Sequence, residues 1–202
     1  MRHAKVIERG VLRWSRQAEA PAGLARAVVR VALTGTPGVG KTTLAALAAA
    51  RGWTVVDVKA WARREGCVVA FDKADQADVL DMEALAQRMP PPAPGERLLY
   101  EGHLSHLLPV DQAWVVRCDP VLLRPRLVAR GYPPAKVVEN LEAEALDLLL
   151  SEAIDHCPRV LQRDGTRRSP EALFQAFAEA AAGGPKEDDL EAVDWSDRLP
   201  IA

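Results

Sequence analysis

Gly35-Thr36-Pro37-Gly38-Val39-Gly40-Lys41-Thr42 fits the pattern G-x-x-x-x-G-K-[ST]. Glycines at this spacing let the backbone curl so that successive N–H groups point at one anion. The lysine can reach the outer phosphates of a polyphosphate, and the hydroxyl after it can ligate Mg²⁺. Gly38, Val39, Gly40, Lys41, Thr42 and Thr43 are therefore assigned to nucleotide binding, with Thr42 on the metal and Thr43 in a packing or assisting role. Glu101 closes the apolar run Leu98-Leu99-Tyr100. A carboxylate at a strand end beside the loop would hold the metal through water. His103, two residues on, can touch phosphate or an attacking water. Glu101, His103 and His106 also suggest a zinc site, although no fourth ligand is evident. Arg126 and Arg130 lie four apart, on one helix face ahead of Gly131-Tyr132. Two such arginines can close over a triphosphate and stabilise charge in transfer. Lys136, opening the next helix, could face the same phosphates. No Asn-Lys-x-Asp segment is present to read guanine, and the chain is too short for a motor ATPase.

The loop works only between a strand and a helix, and the sequence supplies both. Val28 to Leu33 is a short β-branched run, and Lys41 to Arg51 is rich in Ala and Leu with Gly52 as its terminal cap. Further strands are predicted at Thr54–Val58, Arg97–Glu101, Ala113–Arg117 and Arg159–Gln162. Helices are predicted from about Lys59 to Glu65 and from Ala77 to Arg88, then from Asp119-Pro120 to Gly131, from Pro134 to Asp155, and from Ser169-Pro170 to Ala182. This alternation is that of an α/β fold with a parallel sheet covered on both faces.

Of the 202 residues, 49% are apolar, enough for one core, and the formal net charge is -2, which excludes a polycation built to coat nucleic acid. Residues 1–30 carry seven basic side chains against two acidic, and residues 183–202 carry two against six. The division expected is a basic extension over 1–27 with a helix from Val6 to Gln17, a P-loop domain over 28–182, and a solvated acidic tail over 183–202. Trp14 and Trp195 could dock the two ends against the body. Cys67, Cys118 and Cys157 are scattered and odd in number, which suits the reducing cytoplasm. No apolar run approaches the ~20 residues that cross a bilayer.

Thr34 to Thr43, then Glu101-Gly102-His103-Leu104-Ser105-His106-Leu107, then Arg126-Leu127 through Arg130-Gly131-Tyr132, with Lys136, Glu139-Asn140, Glu142 and Glu144, resemble the adenylate kinase isoenzyme 6 family in its archaeal branch, over about residues 29–175. The resemblance implies a five-stranded parallel sheet of order 2-3-1-4-5, an NMP-binding segment over about 57–88 and a short lid over about 129–139. It implies ATP and AMP as substrates, with Mg²⁺, in ATP + AMP ⇌ 2 ADP, and ATPase activity as well. It also implies a part in maturation of the small ribosomal subunit, through a ribosomal protein of the uS11 type. The family's acid-x-histidine motif falls on Glu101 and His103, its lid arginine on Arg130, and an arginine of its NMP segment on Arg63; Asp57 lies near the same site. Lys41, Glu101, His103 and Arg130 are thus the expected catalytic set. Two departures stand out: eukaryotic members usually carry Asp where Glu101 stands, and Ala60 replaces an acid common in the NMP segment. Two other readings compete: a nucleotide-gated ribosome-assembly factor whose ATPase activity matters, and a kinase of a small non-nucleotide metabolite.

Overall fold

The computed structural model describes residues 29–72, 77–183 and 185–199. The expected N-terminal helix, and Val28 at the head of the first strand, lie outside the described residues. Five strands form the main sheet: β1 (Val29–Thr34), β2 (Thr54–Asp57), β5 (Arg97–Glu101), β6 (Gln112–Arg117) and β7 (Val160–Asp164). All are parallel, in the order β2-β5-β1-β6-β7. Counted without the small hairpin of Val68–Asp72 and Ala77–Leu80, this is the expected 2-3-1-4-5.

Strand alternation divides the core between two faces. Val31, Leu33, Leu99, Trp114 and Val116 point to one, with α1 (Lys41–Ala50) and α7 (Pro170–Ala182), and there Trp114 stacks on Phe177 with centroids 5.1 Å apart. Ala32, Leu98, Tyr100, Ala113 and Val115 point to the other, with α2 (Val58–Arg64) and α3 (Met82–Gln87). β1 lies at the centre, so the loop after it emerges in the middle of the sheet's carboxyl edge, where open α/β sheets bind ligands.

Three expectations need correction. The segment Ala77–Arg88 is not one helix: β4 (Ala77–Leu80) pairs antiparallel with β3 (Val68–Asp72), and α3 starts only after Asp81, whose carboxylate accepts from the Ala84 N–H at 2.8 Å. Val68, Val69, Phe71 and Val79 are the β-formers that win there. The helix expected from Pro134 to Asp155 breaks into α5 (Pro134–Ala145) and α6 (Leu148–His156). Asp147 sits between them at φ 56°, its carboxylate held by the Arg117 guanidinium. Finally, the acidic tail is not simply solvated. Leu190 bridges Gln162 of β7 in parallel, Trp195 is buried over Arg117 of β6, and Arg198 pairs with Asp119. No described helix is long and apolar enough to cross a membrane.

Candidate active site

The loop is shaped by glycines that no other residue can replace. Gly35 has φ +137°, and a Cβ there would meet the Val116 carbonyl oxygen at 2.4 Å. Gly40, at φ 107°, caps α1 without a side chain, leaving the amides of the first turn aimed into the loop. Lys41 lies buried beneath it, its Nζ donating to the carbonyls of Gly35 at 2.7 Å and Thr36 at 3.0 Å. Burial pulls its ammonium down to about 8, with Glu101 and Glu144 acting against that and Arg130 with it.

The sheet register places the carboxylate. Glu101 ends β5 opposite Leu33 of β1 on one side and Asp57 of β2 on the other. From there its Oε1 accepts from the Thr42 hydroxyl at 3.5 Å. Burial raises its pKa, Asp57 adds to that, and Lys41, Thr42 and Arg130 counter it. A hydroxyl and a carboxylate side by side are hard oxygen donors, a set that fits Mg²⁺ and its waters. Asp57 itself caps α2, accepting from the Ala60 N–H at 2.9 Å, so it reaches the site through its charge on Glu101.

The Thr34 hydroxyl fixes the turn after β5 by donating to the His103 carbonyl at 3.0 Å. His103 is exposed at the surface. Desolvation by the protein around it, with the charges of Lys41, His106, Lys59 and Lys136, holds its imidazole down to about 4, so it is neutral at pH 7. His106 points the other way, buried between the Thr34 hydroxyl and Glu152, each at 3.2 Å. It is committed to packing. Among the described residues no three His, Cys, Asp or Glu side chains are grouped to hold a metal ion, so Glu101, His103 and His106 do not form the zinc site that their spacing suggested.

Across the loop, Arg126 of α4 (Pro120–Ala129) reaches the Gly38 carbonyl with its Nη1 at 3.5 Å. Arg130 caps the same helix at the turn Gly131-Tyr132-Pro133, exposed, with its charge felt at both Lys41 and Glu101. Thr43 is exposed on the first turn of α1, and Lys136 bonds Glu139 at 2.9 Å. His103 also lines a small recess, together with Val58, Lys59, Asp78 and Leu104. Asp78 of that lining is already paired: the exposed Arg63 reaches it through Nη2 at 2.7 Å, and Lys59 approaches the same carboxylate at 3.7 Å.

One group escaped sequence reasoning in its role. Glu144 is 2% exposed and accepts from the Thr36 hydroxyl of the loop, from Arg117 Nε at 2.8 Å and from the Cys118 N–H at 3.0 Å. It stands three residues after Leu141 on the buried stripe of α5, and a carboxylate in a core position must be paired. Glu144→Ala leaves Arg117 Nε and the Thr36 hydroxyl without their buried acceptor, with Asp147 as the arginine's remaining carboxylate, and is expected to cost about 3 kcal/mol of stability. Urea unfolding of the variant against the parent chain measures this; an unchanged midpoint would show that the pair holds nothing.

The site defines the class: a P-loop nucleotide-binding α/β protein. The family described as AAA domain matches residues 31–147. A protein of Archaeoglobus fulgidus named "Putative adenylate kinase" is 40% identical over 173 residues, covering 84% of this chain and 93% of its own. One of the same name from Natronomonas pharaonis is 39% identical, covering 85% of this chain and 100% of its own. Among solved structures, shikimate kinase from Bacteroides thetaiotaomicron aligns with TM-score 0.50 at 15% identity over 78% of this chain and 100% of that one. Shikimate kinase from Acinetobacter baumannii, in complex with shikimate, aligns with TM-score 0.51 at 18% identity over 78% and 94%. At such identities these two show the fold alone. The chain belongs to the AAA domain family and to the family of the archaeal proteins that carry the adenylate kinase name.

Proposed function

We propose that this chain is a Mg-ATP-dependent nucleoside monophosphate kinase that catalyses ATP + AMP ⇌ 2 ADP and hydrolyses ATP when no acceptor is bound. The observation that carries the reading is the position of His103. It lines a small recess with Lys59 and Asp78 and also feels the charge of Lys41 in the phosphate loop, so one residue stands between the donor site and the recess where an acceptor would enter. Relatives named as adenylate kinases over more than nine-tenths of their length support the same choice of acceptor.

Phosphoryl transfer through a loose transition state needs alignment and charge compensation more than covalent help. The loop amides and Lys41 would hold the donor phosphates, with Arg126 and Arg130 closing from the α4 side. Mg²⁺, entering with ATP, would be held by the Thr42 hydroxyl and, through water, by Glu101, and would supply charge neutralisation. Lys59 and Arg63 would take the AMP phosphate once it displaces Asp78. A monophosphate is already an anionic nucleophile, so neutral His103 is needed only to orient it by a hydrogen bond. In the hydrolytic reaction the same ring would orient water.

The Arg63–Asp78 pair also favours a second reading. If AMP seldom displaces Asp78, hydrolysis dominates, and the chain acts as a nucleotide-gated assembly factor in small-subunit maturation with a uS11-type ribosomal protein as partner. The loss of an acid at Ala60 points the same way. Steady-state release of ADP and phosphate from Mg-ATP, with and without AMP, separates the two. A strong rise in ADP on adding AMP, with little free phosphate, is the result expected for the kinase. Equal, slow phosphate release in both cases would establish the second reading.

A further inference from the structure

The C-terminal segment is tied to β7 and carried to the carboxyl edge of the sheet. Arg159 grips the Asp189 carboxylate with Nε at 2.8 Å and Nη2 at 3.0 Å. Arg163 donates to the carbonyls of Asp189 at 2.8 Å and Asp188 at 3.1 Å. Arg168 meets Glu191 through Nη2 at 2.9 Å. Further on, Arg198 pairs with Asp119, the cap of α4, at 3.3 Å. Between these anchors Trp195, 8% exposed, lies over the guanidinium of Arg117, with the Arg117 Cζ 5.1 Å from the ring centroid.

Arg117 is 2% exposed. Four of its five N–H donors are engaged: Nε on Glu144, Nη1 on Gln162 at 2.8 Å, and Nη2 on the Glu144 carbonyl at 2.7 Å and the Asp147 carboxylate. A planar guanidinium held by its edge in this way offers its faces, and Trp195 covers one. The other end of this network is the phosphate loop. Glu144 takes the Thr36 hydroxyl, and the Thr36 carbonyl takes Lys41 Nζ at 3.0 Å. Kept from water, the Arg117–Glu144 pair is stiff and strong; wetted, it loosens.

We infer that Trp195 is a positioning residue for the phosphate loop: the C-terminal segment is a strap that completes the ATP site through Arg117, Glu144 and Thr36. The inference rests on the reading of this loop as the ATP site. The strap acts on the donor side alone, because the pocket with Lys59 and Asp78 shares no member of this chain of contacts.

The test compares Trp195→Ala and Trp195→Phe with the parent chain, measuring Mg-ATP and AMP binding by calorimetry, steady-state kinetics and thermal unfolding. Trp195→Ala is expected to weaken Mg-ATP binding about tenfold and raise its KM alike, the scale of one desolvated cation–π contact. AMP binding is expected to stay within about twofold, the additivity expected of an uncoupled site. Trp195→Phe keeps an aromatic face on Arg117 and should recover most of the loss. Unchanged ATP affinity in Trp195→Ala, equal loss for ATP and AMP, or no recovery with Phe would overturn the inference. Should the Ala variant fail to fold, hydrogen exchange on the parent chain decides: amides of 36–41 and of 190–198 gain protection together on Mg-ATP binding, and a strap indifferent to ATP overturns it. Failure of the parent chain to bind Mg-ATP is a different result, and overturns the assignment of the loop itself.

Discussion

Lys41→Ala lowers ATP turnover about a thousandfold or more while leaving the fold intact. The size follows from the place of the ammonium, which is buried and can meet charge building on the transferred phosphoryl in a water-poor site. The intact fold follows from its cost. Burial holds Lys41 near 8, below its ordinary 10.5, so in the empty protein the charge is penalised, and its removal frees two loop carbonyls and takes a favourable charge from Glu101 and Glu144, which keep other partners. The same depression gives a pH signature. Above about pH 8 the free protein carries a neutral Lys41, whereas bound phosphates favour the charged form. Binding then takes up a proton, and affinity for Mg-ATP falls as pH rises through this range. Calorimetry at pH 8.5 in buffers of different ionisation enthalpy reads the proton directly. Lys41→Ala should abolish both the uptake and the turnover. Turnover close to the parent's would remove this lysine from the mechanism.

Glu101→Gln lowers kcat about a hundredfold and raises the Mg²⁺ concentration needed for half-maximal rate. The amide keeps the shape and the contact to Thr42 but not the charge that would hold the metal's waters. Three neighbours favour the ionised carboxylate against its burial: Lys41, the Thr42 hydroxyl and Arg130. Glu101→Asp keeps that charge on a shorter arm, as in the eukaryotic members that this motif resembles, and should retain activity within about tenfold. Mg²⁺ titrations of the three proteins check this. A Gln variant with the parent's Mg²⁺ dependence would place the metal elsewhere.

The donor side was legible because its chemistry is contiguous. Gly35 to Thr42 announces a loop, and an apolar run before it and an Ala-rich run after it supply the strand and helix. Glu101 could be found from its place at a strand end, and the register confirms that it meets Thr42. What stayed hidden depends on partners distant in sequence. The β3–β4 hairpin was missed because Ala77–Leu80 keeps apolar residues at a spacing that also suits a helix, and only pairing with Val68–Asp72 decides it. The break at Asp147 requires a left-handed residue, and the Arg117 guanidinium 30 positions away makes it favourable. Arg63 reads as a free cation until the hairpin delivers Asp78 beside it. The tail's acids look solvated until Arg159 and Arg168, on either side of β7, meet Asp189 and Glu191, while Arg163 within the strand takes the Asp189 carbonyl.

The central claim is that the γ-phosphoryl of ATP passes to AMP across His103. The measurement that tests it most directly follows the label from ATP carrying ³²P in its γ-phosphate, in the presence of Mg²⁺ and AMP. The account predicts that label accumulates first in the β-phosphate of ADP, at a rate that rises with AMP and saturates, with little in free phosphate. Label appearing in free phosphate alone, at a rate indifferent to AMP, would contradict it.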